Sequence, residues 1–143
     1  MTRKNFLICG LTGWCMEIIF TSIGSASQHD FRLMGVTSIW MFPIYGLAVL
    51  IVPIYQKIRF WPVICRSLLY ALCIMTVEYI TGSLLSLFGM CPWDYSNAPV
   101  SIQGVVRPDY LPFWMAAGLA FERLLCGQGT TNQPLAAVSP RQG

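Results

Sequence analysis

The chain has 143 residues, of which 55% are hydrophobic and only 10% are charged, and its formal net charge is +3. Soluble domains carry about 25% charged residues, so this composition excludes an ordinary soluble enzyme and a disordered protein. The small and scattered positive charge also excludes a nucleic-acid-binding surface. We therefore expect an integral membrane protein of one domain, whose first partner is the lipid bilayer.

Four apolar segments are long enough to cross a bilayer, because the hydrocarbon core needs about 20 apolar residues per helix. The predicted spans are about 6–24, 38–55, 64–88 and 111–126. Their continuous apolar character argues against strands. The sequence thus predicts an all-α membrane protein, with a four-transmembrane-helix bundle within residues 1–126. Residues 127–143 are rich in Gly, Gln, Thr, Ser and Pro and are predicted to form a disordered cytoplasmic tail.

The first segment has a competing interpretation as a cleaved signal peptide. Arg3 and Lys4 precede its apolar run, and the small residues at 25–27 resemble a cleavage site. Glu17 interrupts the run, which is also long for the apolar part of a signal peptide. We therefore interpret the segment as a membrane span.

The basic residues predict the orientation, because Lys and Arg are enriched in cytoplasmic loops. With a cytoplasmic N-terminus, the outer side holds two of them, Arg32 and Arg107. The cytoplasmic side then holds the other seven, which are Arg3, Lys4, Lys57, Arg59, Arg66, Arg123 and Arg141. We expect a multi-pass protein with both termini in the cytoplasm, in the cell membrane if the chain is bacterial.

Two acidic residues, Glu17 and Glu78, fall inside the predicted spans. Each costs about 2.5 kcal/mol or more near the bilayer centre on insertion scales, so each must face protein or water. Both lie at similar depth toward the outer leaflet. They either tie helices together as hydrogen-bonding groups or line a polar cavity with Trp14, Tyr45 and Tyr79. Two ionised carboxylates would repel each other there, which favours a bound proton or a cationic substrate.

The helical spacing of glycines and polar residues supports an interior that the predicted helices share. Glycines and polar residues recur every three or four positions on the first, third and fourth segments, the last stripe containing Trp114 and Glu122. Pro43 in the second segment leaves the carbonyl of Ile39 without its helical donor. We therefore expect a broken helix there, of the kind that lines a cavity.

The outer loop at residues 89–110 is long for a helix connection, which is typical of a functional or re-entrant segment. Trp93, Asp94 and Tyr95 suggest an aromatic and acidic rim, with an interfacial aromatic belt as the alternative. Arg107 could reach in from the same surface to balance the carboxylates. The six cysteines include no C-x-x-C pair, and we predict neither a metal site nor a cofactor.

Five motifs in order give the chain a family resemblance. They stand at residues 13–17 (GWCME), 35–40 (GVTSIW), 43–46 (PIYG), 78–82 (EYITG) and 91–96 (CPWDYS). The set resembles the type IV ABC-transporter permease family, also called the CmpB family, and within it the transmembrane protein 229 branch. The resemblance covers roughly residues 6–125. Bacterial members carry an arginine directly after the glycine that matches Gly104, whereas this chain has Val105 there and its nearest arginine is Arg107.

The resemblance implies a multi-pass membrane protein of transporter type. The chain has no Walker A pattern, so a separate ATPase subunit is a candidate partner. The leading hypothesis is a small transporter or permease subunit that acts as a homodimer or with a partner membrane subunit. One alternative is an assembly subunit without its own activity. The other is a membrane enzyme acting on a lipid-linked substrate at the outer interface, with His29, Asp94, Tyr95 and Asp109 as acid–base groups.

Overall fold

The computed structural model describes residues 3–127, which are almost entirely helical. The α-helices are α1 (Arg3–Ser27), α2 (Met41–Gly46), α3 (Ile51–Ile58), α4 (Val63–Leu87) and α5 (Leu111–Cys126), and the 3₁₀ turns are Leu47–Leu50 and Pro108–Tyr110. Within residues 3–127 there is no strand, only an isolated bridge between Ile102 and Val106. The predicted helical class is confirmed. The tail predicted from residue 127 onward lies, apart from Gly127, outside the described residues.

Among residues 3–127, three helical segments are long and apolar enough to cross a membrane: Arg3–Ser27, Met41–Ile58 and Val63–Leu87. The two 25-residue helices are about 38 Å long at 1.5 Å per residue, and the hydrocarbon core is about 30 Å thick. The fourth, α5, has 16 residues and is about 24 Å long. Large apolar side chains such as Leu11, Ile19 and Ile23 are more than half exposed on α1, which suits a surface facing lipid.

Helices α2 and α3 are joined by the Leu47–Leu50 turn into one continuous rod, Met41–Ile58, which we call the α2–α3 rod. The break predicted at Pro43 is not found, because the helix begins at Met41 and a first-turn proline withholds no intrahelical bond. The Ile39 carbonyl instead accepts a bond from the Phe42 N–H, at 3.3 Å. Further along, the helix narrows to the 3₁₀ turn Leu47–Leu50. This turn precedes Pro53, which has no N–H to donate to the carbonyl of Val49.

The helices pack chiefly as two pairs, α1 against α2 and α4 against α5. Glycines bring the partners together: a Cβ at Gly13 would overlap the Tyr45 side chain, and one at Gly118 would overlap Tyr70. Small residues serve the same purpose at helix interfaces in membranes generally. The α2–α3 rod makes few contacts with α4, so a groove remains between them.

Residues 28–40 and 88–110 lie at the same end of the helices, which we call the loop end. The segment 28–40 folds back along α1, where the Ser25 hydroxyl donates to the Met34 carbonyl at 2.9 Å. The segment 88–110 forms a compact loop in which Val105 and Val106 are buried. The opposite end, which we call the turn end, carries the short connection at 59–62 and the N-terminus of α1.

Candidate functional site

A cavity of about 310 Å³ lies at the loop end, enclosed by α1, α2, α4, α5 and both loops. Glu17 from α1 and Glu78 from α4 both line it. Its volume falls at the lower end of the range of small-molecule sites, about 300–1,000 Å³. We call it the carboxylate cavity.

Glu17 is half-buried and is held by the segment 28–40. The Trp14 indole N–H donates to the Ser38 carbonyl at 3.0 Å, which fixes this segment along α1. Gly35 permits the close approach, because a Cβ there would collide with α1. The Thr37 hydroxyl then donates to Glu17 Oε2 at 2.7 Å. One oxygen of Glu17 is thus satisfied by a neutral donor.

Glu78 is nine-tenths buried and poorly satisfied. Its Oε1 has only a long contact with the Tyr95 hydroxyl, at 3.5 Å. Its Oε2 has no hydrogen-bond partner among residues 3–127, and neither does the buried indole nitrogen of Trp114, which lines the same cavity. A buried polar atom without a partner costs about 1–3 kcal/mol, and more if it is charged. The Trp114 indole lies near the Glu78 carboxylate but not in hydrogen-bond geometry, so each is left without a full partner.

The other walls are mostly aromatic. Trp93 is placed by a bond from its indole N–H to the Val105 carbonyl, at 2.9 Å, and both residues pack against Gly82 on α4. Gln103 and Gly104 turn the loop with positive φ angles of 52° and 70°, which brings Tyr95 back over the cavity. The remaining aromatic lining residues are Phe20, Tyr45, Tyr110, Phe113 and Trp114. No Lys, Arg or His from residues 3–127 lines the cavity.

Five of the nine predicted site residues line this cavity: Glu17, Tyr45, Glu78, Trp93 and Tyr95. Each of the five motifs that carry the family resemblance contributes lining residues, although they span about eighty positions of the chain. The fold thus brings all five motifs to one place. The predicted Trp14 lies outside the cavity and acts on it only through Ser38.

The other three predicted site residues lie outside the carboxylate cavity. The Tyr79 hydroxyl donates to Gln103 Oε1 at 3.1 Å on the exposed side of α4. Asp94 accepts bonds from the Ser96 hydroxyl and backbone N–H, which hold its pKa below the ordinary value.

Arg107 pairs with Asp109 and stacks over the Tyr110 ring, 4.2 Å from its centroid. The guanidinium lowers the pKa of the Asp109 carboxyl. Arg107 therefore forms an ion pair with Asp109 and does not contact the carboxylates of the cavity. Within the described residues, no group of three or more His, Cys, Asp or Glu side chains could hold a metal ion.

A second polar cluster, which sequence reasoning did not identify, lies at the turn end. Arg66 on α4 forms a two-bond ion pair with Glu122 on α5, with distances of 3.1 Å and 2.9 Å. The buried Tyr70 hydroxyl donates to the same carboxylate at 2.6 Å. The sequence signal was present, because Glu122 stood on the inward stripe and Arg66 stood near the start of the third span. Thr37 and Trp114 were likewise missed as cavity residues.

Residues 4–133 match the sequence profile of a family described as "Putative ABC-transporter type IV". This match covers nearly the whole chain and confirms the family predicted from the five motifs. The narrower likeness to the transmembrane protein 229 branch stays a prediction. No solved structure matches the chain. The chain is a helical membrane protein that belongs to the type IV ABC-transporter family.

Proposed function

We propose that the chain is a permease-like membrane subunit that binds a small cationic or protonated substrate in the carboxylate cavity. The observation that carries the proposal is the unpartnered Oε2 of Glu78 in a cavity that Glu17 also lines. Burial disfavours an ionised carboxylate that has no opposite charge beside it, which favours a proton or a cation at Glu78. Residues 3–127 offer no basic side chain in the lining for that purpose, so the counter-charge comes with the substrate or with a coupling proton.

The proposed arrangement in the membrane is a four-helix bundle with both termini in the cytoplasm. In this orientation α1 runs outward, the loop end faces outside, and the carboxylate cavity opens toward the outer leaflet. The described basic residues support it: Arg32 and Arg107 belong to the loop end, and the other six lie toward the turn end. The seventh predicted cytoplasmic residue, Arg141, lies outside the described residues.

A bundle this small does not enclose a translocation path by itself, so we propose that it works as a homodimer or with a partner membrane subunit. A separate ATPase would meet the bundle at its cytoplasmic turn end. In this assembly the chain supplies the substrate site, and the partner supplies the second wall of the path. Crosslinking in native membranes, followed by mass spectrometry of the linked peptides, identifies which of these partners is present.

Ethylammonium is a suitable probe, because it carries one positive charge and little apolar surface. The protein is placed in nanodiscs, and tryptophan fluorescence is followed, since Trp93 and Trp114 line the cavity. We expect Glu78→Gln to weaken ethylammonium binding by about tenfold or more, because it removes one charge-assisted hydrogen bond. Glu17→Gln should weaken it less, since Thr37 already binds that carboxylate.

The matched control is Asp94→Asn, which removes a carboxylate at the loop end but outside the cavity. It should bind ethylammonium like the wild type, and all variants should keep the wild-type circular dichroism. Uptake of ethylammonium into proteoliposomes then tests transport. If Glu17→Gln and Glu78→Gln both bind and transport like the wild type, the carboxylates have no part in the function.

An assembly subunit without its own activity is the second candidate. The bond between Thr37 and Glu17 favours it, because it shows one intramembrane acid joining a helix to a loop. A stable partner combined with wild-type behaviour of both Gln variants would support this alternative. The membrane-enzyme alternative gains no support from Asp94 and Asp109, since each carboxylate is bound by a residue two positions away.

A further inference from the structure

The groove between the α2–α3 rod and α4 encloses a second cavity, of about 430 Å³. Its walls are largely aliphatic, with Leu50 and Ile54 on the rod and Leu72 and Val77 on α4. Both walls belong to helical segments that are long and apolar enough to cross a membrane. The groove therefore faces the hydrocarbon of the bilayer in the proposed arrangement.

This groove adjoins the carboxylate cavity. Five residues line both spaces: Met41, Tyr45, Glu78, Trp93 and Trp114. Glu78 and Trp114 are 9% and 8% exposed, and their unpartnered Oε2 and indole nitrogen belong to this shared wall. The apolar groove thus adjoins a buried acceptor and a buried donor that lie near each other without a full hydrogen bond, which suits a molecule with a polar head and an apolar tail.

We propose that the groove and the carboxylate cavity together bind a single-chain amphiphile, with its protonated amine at Glu78 and its alkyl chain between the α2–α3 rod and α4. This inference rests on the proposed function and names its substrate class. The charge of the head follows from the lining, since Glu17 and Glu78 meet no Lys, Arg or His there. An anionic head, such as a carboxylate or a phosphate, is repelled by the same two acids. The indole N–H of Trp114 suits a hydroxyl acceptor on the same head.

Cys73 offers a reporter, because it lines the groove and is partly exposed. Cys15 is exposed on α1 and lines neither cavity, so it serves as the internal control. The protein in nanodiscs is alkylated with N-ethylmaleimide, and the rate at each cysteine is measured by peptide mass spectrometry. The probes are dodecylammonium, dodecanoate with the same chain, and ethylammonium with the same head.

We expect dodecylammonium to slow alkylation of Cys73 by about tenfold, a change equivalent to 1.4 kcal/mol, with Cys15 unaffected. Dodecanoate and ethylammonium should leave Cys73 exposed to the reagent. Glu78→Gln should abolish the protection by removing the head site. Leu72→Trp should abolish it by filling the groove, whereas Leu11→Trp, an equally exposed position on α1, should keep it.

Equal protection by dodecanoate, or protection that survives in Glu78→Gln, overturns the inference. Failure of the inference can be separated from failure of the proposed function. If ethylammonium still binds in a Glu78-dependent way while dodecylammonium leaves Cys73 unprotected, the amphiphile site is wrong and the carboxylate site stands. If ethylammonium binding is indifferent to Glu78, both proposals fall.

Discussion

Removing one member of the buried ion pair between Arg66 and Glu122 should be among the most destabilising single changes in the protein. The two side chains are only 14% and 10% exposed and share two hydrogen bonds. Arg66→Met leaves the Glu122 carboxylate with the Tyr70 hydroxyl as its one donor among the described residues. Breaking a buried pair in this way costs about 3–5 kcal/mol, and solvent screening reduces this little at such low exposure. Tyr70→Phe removes one bond to a charged acceptor and should cost about 1.5–3 kcal/mol.

The double variant Arg66→Met with Glu122→Leu separates the cost of an unpaired charge from the value of the pair. Exchanging both charges for apolar side chains of similar volume is often neutral, because it also removes two desolvation penalties. We expect the double variant to be about 1–3 kcal/mol less stable than the wild type but clearly more stable than Arg66→Met, because the buried Tyr70 hydroxyl loses its acceptor and the Trp61 carbonyl loses its bond from Arg66. Unfolding is followed by circular dichroism during denaturant titration in mixed micelles. If the double variant is as unstable as Arg66→Met, the cost comes from lost packing and the electrostatic reasoning is refuted.

Two further predictions concern a helix contact and the outer loop. Gly118→Ala should destabilise the protein by about 1–3 kcal/mol, because its Cβ would meet the Cβ of Tyr70, which cannot rotate away. The control is Gly24→Ala, whose Cβ would enter open space. It should stabilise the protein by about 0.5–1 kcal/mol, because alanine favours the helix over glycine. The Arg107 guanidinium holds the pKa of Asp109 below its ordinary 3.8, so the stability from this pair is present at neutral pH and is lost as pH falls through the folded-state pKa. Asp109→Asn should therefore flatten the fall in unfolding temperature below about pH 4, and an unchanged fall contradicts the assignment.

The positions of the helices followed from the sequence because apolar runs of bilayer length have few other stable structures. Each of the four predicted spans overlaps a helical segment. The position of the 3₁₀ turn did not follow from the sequence. A proline is tolerated in the first turn of a helix, whereas in the interior it removes a hydrogen bond. Pro43 was expected to break a helix that begins only at Met41, and the actual tightening precedes Pro53. Predicting this requires the first residue of the helix, which hydropathy alone does not fix.

The cavity contains five of the nine predicted site residues, and simple geometric reasons place the others outside it. Glu17 and Glu78 could be expected on one interior because both must avoid lipid. Tyr79 follows Glu78 directly and is turned by about 100° around the helix, so it points away from the cavity. Asp94 and Arg107 bind polar groups two residues away. Such local pairs are hard to distinguish from long-range ones when only the sequence is known.

The two buried carboxylates on facing helices, Glu122 and Glu78, have different hydrogen-bond partners. At the turn end Glu122 is neutralised by the Arg66 guanidinium and also accepts a bond from the Tyr70 hydroxyl. Glu78 is as deeply buried, at 9% against 8% exposure, yet among residues 3–127 it meets only the Tyr95 hydroxyl, at 3.5 Å, and the nearby Trp114 indole, which does not reach hydrogen-bond geometry. If Glu78 served only to join helices, we would expect a basic partner for it, as Arg66 is for Glu122. The adjoining apolar groove would then play no part in binding. An acid without a counter-charge among residues 3–127, beside an apolar groove, is better explained by the positively charged ligand proposed above.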